Sequence, residues 1–266
     1  MTALIEVYNY PLSPCGEKVR FALAEKQLSW TDHHVDLGAK ENLRPDFLRF
    51  NPKGLVPVLR LGADVIAEST IIIEFIDDRW AEPSLRPDDP LARARMRRWT
   101  KLVDEVLHPA WPGIAWPILV RPAWQAKSAE TVEAMLAALP DPRRREKQSR
   151  LYQLGLNAPD AQESLTVFAT VCREMEEALN AGPWISGESF SLGDIALLPY
   201  FVALEAFSLE RLFATYSRIT DWYSRACARP AYGGHPRTLL PPVRLAEVAQ
   251  YGRAASAALK PSPAHP

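Results

Sequence analysis

Apolar positions change their rhythm near residue 80. Ahead of that point, runs of strand length alternate with helical spacing. Leu4 to Tyr8 reads as a strand, Gly16 to Glu25 as a helix turning Val19, Phe21, Ala22 and Leu23 inward, and Trp30 to Leu37 as a second strand. The spacing predicts a short helix over Arg44 to Phe50. Val56 to Leu61 and Asp64 to Ala67, separated by Gly62 and Ala63, read as a hairpin, and helical period returns from Glu68 to Asp78. The order βαβ, then α, then ββα predicts parallel strands joined by a right-handed crossover, with the hairpin adding an antiparallel edge.

Arg79 to Pro90 carries three prolines among alternating charges and reads as a linker. Beyond it the pattern is helical: Leu91 to Leu107, Ala126 to Leu139, Glu163 to Leu179, Ile195 to Phe207 and Ile219 to Arg229. His108-Pro109 and Trp111-Pro112 are expected to end or kink the first of these, and Pro140 to Arg145 to separate the second from the third. The arginines at 93, 95, 97 and 98, and the triplet 143–145, read as solvated faces. Ser191 and Asp194 have the spacing of a capping box at the start of the fourth helix. The division that follows is an α/β domain over 1–80, an all-α domain over 91–235 and an extension over 236–266, disordered from about Lys260.

The length of 266 residues suits two unequal domains, at roughly 100–200 residues each. With 47% hydrophobic and 24% charged residues the chain has the balance of a globular protein. A net charge of -1 gives no pull on a polyanion, which argues against nucleic acid as a partner. The three cysteines (Cys15, Cys172, Cys227) are widely spaced and form no CxxC, against a disulfide scaffold or a structural zinc. No apolar run approaches the roughly 18 residues a bilayer requires, and the first residues do not read as a secretory signal. A cytoplasmic protein without metal or membrane contact is expected.

Four segments of the first 80 residues carry chemistry. The turn from Tyr10 to Arg20 brings the Ser13 hydroxyl and the Cys15 thiol to a helix N-terminus, where unpaired N–H groups favour an anion and a thiol ionises more readily. Ser13 followed by Pro14 equally satisfies a plain N-cap. In Asn51-Pro-Lys-Gly-Leu-Val-Pro57, a proline opening a strand belongs at an edge, a strand start or a cis bond. A cis Val56–Pro57 bond would leave the Val56 backbone to pair with an extended peptide. Glu68-Ser69 opens a helix, as a cap or as a receiver of a ligand carboxylate. Lys53 in the preceding loop is a cation for a second carboxylate, or a solvated one. Together they suit an extended, doubly carboxylated thiol peptide with a hydroxyl at its sulfur.

These segments, with the Ser-Leu-Gly-Asp-Ile-Ala cap from Ser191, resemble the cytosolic glutathione transferases in order and spacing over about Leu4 to Arg229. The resemblance implies a thioredoxin-like N-terminal domain, an all-helical C-terminal domain, a homodimer, and glutathione as co-substrate beside a pocket for a hydrophobic electrophile. It implies that Ser13 hydrogen-bonds the glutathione sulfur and that Val56, before Pro57, pairs with the cysteinyl backbone. Glu68 and Ser69 would hold the γ-glutamyl end, Lys53 would lie near the glycyl carboxylate, and Asp194 would be structural. Cys15 is either a spectator or a redox participant.

The electrophile side is expected from Tyr10 and Leu12 in the first loop and from His108, Trp111 and Trp116, as an aromatic slot or as core packing. Within the family, Ser84 to Pro90, Arg95 to Glu105 and Leu139 to Pro142 are similar to the bacterial lignin beta-aryl etherases. The Ser13-Pro-Cys-Gly turn departs from them and is closer to zeta-type isomerases, while the insertion is also similar to glutathione-dependent dehalogenases. A hydrophobic-ligand-binding protein of the same fold, without catalysis, is a reading of another class.

Overall fold

The computed structural model describes residues 4–10, 13–233 and 241–257. Strands β1 (Ile5–Asn9), β2 (Thr31–His34), β3 (Val58–Leu61) and β4 (Asp64–Ala67) form one sheet in the order β2-β1-β3-β4. β1 and β2 are parallel, with Val7 opposite Asp32; β1 and β3, and then β3 and β4, are antiparallel. Helix α1 (Pro14–Glu25) makes the crossover, α2 (Pro45–Leu48) follows β2, and α3 (Ser69–Arg79) follows the hairpin. α1 and α3 pack together against β1 and β3 and bury Val19, Leu23, Ile72 and Ile76. The alternation of side chains along a strand sends Tyr8 and Val58 to the other face, where Val35, Phe47 and Phe50 cover them.

Two strands of this region are shorter than the segments that read as strands. β2 stops at His34 because Asp36 Oδ1 accepts the Ala39 N–H at 3.0 Å, and this side-chain turn competes with the ladder. β3 starts at Val58 because Pro57, in a cis bond to Val56, has no N–H to give. The segment that reads as a linker is pinned down. The buried Lys26 ammonium donates to Asp77 Oδ1 at 2.5 Å and to the carbonyls of Ala81 and Pro83, and Leu85 N–H donates to the same carboxylate.

The rest is helical: α4 (Pro90–Leu102), α5 (His108–Leu119), α6 (Arg121–Gln125), α7 (Ala129–Ala137), α8 (Pro142–Leu154), α9 (Pro159–Ala178), α10 (Leu192–Ala206), α11 (Ser217–Cys227), α12 (Pro230–Gly233) and α13 (Pro242–Ala257). The structure adds detail to three expectations here. The prolines after Leu107 do not end the helical run: a π turn over Val103–Leu107 precedes α5, and Pro112 and Pro117 lie inside it. The wider turn makes room at the carbonyl that Pro109 would otherwise meet. Pro140 to Arg145 is not merely a separator: Asp141 accepts the Arg143 N–H at 3.0 Å as an N-cap, Pro142 takes the first helical position, and α8 follows. The extension contains α13. The tail from Lys260 lies outside the described residues.

The chain divides into two compact units. The first comprises Met1–Val103, Met175–Ala203 and Ser217–Pro241, and the second Asp104–Glu174, Leu204–Tyr216 and Pro242–Pro266. In the first, Asp194 is wholly buried and accepts from Ser191 N–H, Ser191 Oγ, Ile185 N–H and Trp222 Nε1 at 2.8–2.9 Å, completing the expected cap and tying α10 to α11. Burial pushes its carboxyl above the usual range, against these four donors.

Candidate functional site

Ser13 stands at the N-cap of α1 in extended conformation, with Pro14 as the first helical residue. Its Oγ accepts the Gly16 N–H at 3.3 Å. A serine hydroxyl that accepts in this way keeps its own proton for another partner, and no described residue takes it. Gly16 is required by a close approach: a Cβ there would lie 1.7 Å from Asn9 Oδ1, whose buried amide fills the space beneath the first turn. Cys15 is half-buried in the same turn.

The Val56–Pro57 peptide is cis, and among the described residues neither the N–H nor the C=O of Val56 is hydrogen-bonded. The loop before it is held by Asn51, whose side chain donates to the Leu55 carbonyl at 2.9 Å and accepts the Lys53 N–H at 3.1 Å. Lys53 Nζ pairs with Glu68 Oε1 at 2.8 Å, so two expected ligand-binding residues meet each other, both exposed to solvent. Glu68 turns the chain from β4 into α3 at φ +70°, a region few side chains adopt. Ser69 then opens α3, buried to 7% exposure.

Behind Ser69 stands Lys18, fully buried on α1, whose ammonium donates to Ser69 Oγ at 3.4 Å. Sequence reasoning missed this residue. The signal was present: Lys18 lies three and four positions before Phe21 and Ala22, on the inward stripe of the helix, where a lysine is out of place. Its neighbour Glu17 is buried against Arg20, 2.7 Å away. Burial pushes the Glu17 carboxyl up to about 7, while Arg20 pulls the other way.

The residues expected on the electrophile side fall into different units. Tyr10 is half-buried in the first, its ring 6.0 Å from that of His34. Leu12 lies outside the described residues. In the second unit Trp111 is buried and stacks on Phe207 at 5.7 Å, half-buried Trp116 meets Trp124 edge-on at 5.2 Å, and His108 opens α5, half-buried.

A thioredoxin-like sheet domain joined to a helical domain, with a hydroxyl at the first helix and a cis proline before the third strand, defines the class. Residues 12–79 match the glutathione S-transferase N-terminal domain and residues 114–230 its C-terminal domain. Protein LigF of Sphingobium sp. strain SYK-6 is 30% identical over 239 residues, covering 85% of this chain and 91% of that protein. The crystal structure of beta-etherase LigF agrees with a TM-score of 0.74 at 28% identity, covering 88% of this chain and 98% of that one. Glutathione S-transferase TCHQD of Arabidopsis thaliana is 25% identical over 239 residues, 86% of this chain and 88% of that protein. Maleylacetoacetate isomerase of Pseudomonas aeruginosa is 36% identical over 108 residues, 40% of this chain and 51% of that protein. The chain belongs to the glutathione S-transferase family, whose members use glutathione as co-substrate. Among the described residues no helix is long and apolar enough to cross a membrane.

Proposed function

We propose that this protein is a glutathione transferase in which Ser13 stabilises the glutathione thiolate for attack on a hydrophobic, aromatic electrophile, with a lignin-type beta-aryl ether as the substrate class. The Ser13 hydroxyl carries the reading: it is set at the open end of α1, accepts from Gly16, and has its proton to give. A free thiol with pKa near 8.5 is only about 3% ionised at pH 7, and lowering it by roughly two pH units takes about 2.7 kcal/mol. One hydroxyl donor to an anion contributes about 1.5–3 kcal/mol, and the first-turn N–H groups add to it. The thiolate then displaces a phenoxide from carbon: the C–S bond forms as the C–O bond breaks, and the leaving oxygen carries off the electron pair. The similarity to beta-etherase LigF supports the choice of ether.

Glutathione lies along residues of 1–80, its cysteinyl backbone paired with Val56 beside Pro57, its γ-glutamyl end at Glu68 and Ser69, its glycyl carboxylate at Lys53. His108, Trp111 and Trp116 of 91–235 serve the electrophile. The protein acts as a cytoplasmic homodimer, a reading supported by family membership. Isomerisation of a maleyl diketo acid, with Cys15 beside Ser13, is the second reading, favoured by the 36% match to maleylacetoacetate isomerase over 108 residues. Product analysis with glutathione and a panel of aryl ethers, aryl halides and a maleyl diketo acid decides between them. The proposal expects a thioether and a free phenol from the ether; cis–trans isomerisation alone, or binding without turnover, contradicts it.

A further inference from the structure

Lys18 is a buried cation that the thiolate chemistry does not use. Its side chain is at 0% exposure, although lysine ordinarily keeps its ammonium in water. The ammonium donates to Ser69 Oγ at 3.4 Å and lies 5.9 Å from the centre of the Tyr200 ring on α10. A serine hydroxyl has one proton to give and two lone pairs to accept with. With one lone pair engaged by Lys18, the Ser69 proton is directed away from the ammonium, and the positive charge behind the oxygen polarises the O–H. The unpaired N–H groups in the first turn of α3 add potential of the same sign at the same place. A charge held in the protein interior is screened far less by salt than one on the surface.

We infer that Lys18 is the positioning residue of a carboxylate subsite at Ser69. It fixes the direction of the Ser69 hydroxyl and supplies the positive charge that selects a ligand carboxylate over a neutral group, acting through Ser69 without touching the ligand. The inference rests on the assignment of Ser69 to the γ-glutamyl carboxylate of glutathione, and it makes that end of the site discriminate by charge.

Titration calorimetry of the full chain with glutathione, and with glutathione carrying a carboxamide in place of the γ-glutamyl α-carboxylate, tests it. The wild-type protein should prefer the acid by about tenfold or more. Lys18→Met should remove that preference, raise KM for glutathione by a similar factor and leave kcat at saturating glutathione within about twofold, with Lys18→Arg restoring most of the affinity. Equal affinity of the wild-type protein for acid and amide overturns the inference without any variant. A Lys18→Met protein that loses both ligands alike also overturns it, because a merely structural role would do that. Ser69→Ala separates inference from premise: if it binds glutathione as the wild type does, the premise fails and takes the inference with it. If Ser69→Ala weakens binding and Lys18→Met does not, the premise stands and the inference fails.

Discussion

At the scale of single residues, Ser13 and Ser69 repeat one device. Each hydroxyl opens a helix and accepts a hydrogen bond from within the protein, from Gly16 N–H at 3.3 Å and from Lys18 Nζ at 3.4 Å, which leaves its own proton to donate. Ser13→Ala removes a donor to the thiolate worth about 1.5–3 kcal/mol and an N-cap worth about 1 kcal/mol. Turnover with saturating glutathione at neutral pH should fall about ten- to hundredfold and recover as pH approaches the pKa of a free thiol. A loss that persists at high pH would remove Ser13 from thiolate stabilisation. Ser69→Ala should instead raise KM for glutathione with kcat little changed, read from initial rates. These serines were legible in the sequence because a cap followed by proline, or a polar pair after a hairpin, is a local backbone signal. Lys18 at Ser69, and Lys53 at Glu68, are contacts made across 51 and 15 residues, which only the folded sheet brings together.

At the scale of elements, α1 carries a pH dependence. Glu17 titrates near 7 in the folded protein because burial disfavours its charge, whereas the unfolded carboxyl titrates near 4.5. Between these values the folded state holds a proton that the unfolded state has lost. Glu17 therefore favours folding at the acid end, and its contribution fades as pH rises from about 4.5 to about 7. At about 1.4 kcal/mol per pH unit the change is on the order of 3 kcal/mol. Urea unfolding at pH 5 and pH 7 should show about 2 kcal/mol of this difference in the wild type, and Glu17→Gln should flatten it. An unchanged slope in the variant would assign the dependence elsewhere. β1 and β3 were legible because their apolar residues are buried, and β2 and β4 because a helix and a tight turn set them beside β1 and β3. The helices were harder to bound because proline serves two purposes. Pro142 starts α8 behind the Asp141 cap, and Pro112 and Pro117 sit within α5, so reading proline as a break left both helices unread. α13 was hidden by its weak apolar stripe, which buries only Val248, Gly252 and Ser256.

At the scale of the molecule, the residues named in the proposal fall into both compact units. Ser13, Lys18, Lys53, Val56, Glu68 and Ser69 all belong to the first, and His108, Trp111 and Trp116 to the second. Within the second unit α13 docks through a close approach: a Cβ on Gly252 would fall 1.6 Å from the Phe207 carbonyl oxygen. Gly252→Ala must push backbone apart, and thermal unfolding should show a loss of about 1–3 kcal/mol; an unchanged melting temperature would show that α13 does not hold this position. The two domains matched by the family were foreseen from the motifs of the first 80 residues and the cap at Ser191, while the electrophile's surroundings were not, since tryptophans at helical spacing serve core and pocket alike. The central claim is that Ser13 and the open end of α1 ionise glutathione. Ultraviolet titration of thiolate in the bound complex measures it directly. The account predicts a pKa roughly two pH units below 8.5 in the wild type and a return towards 8.5 in Ser13→Ala. The same pKa in both proteins would contradict it.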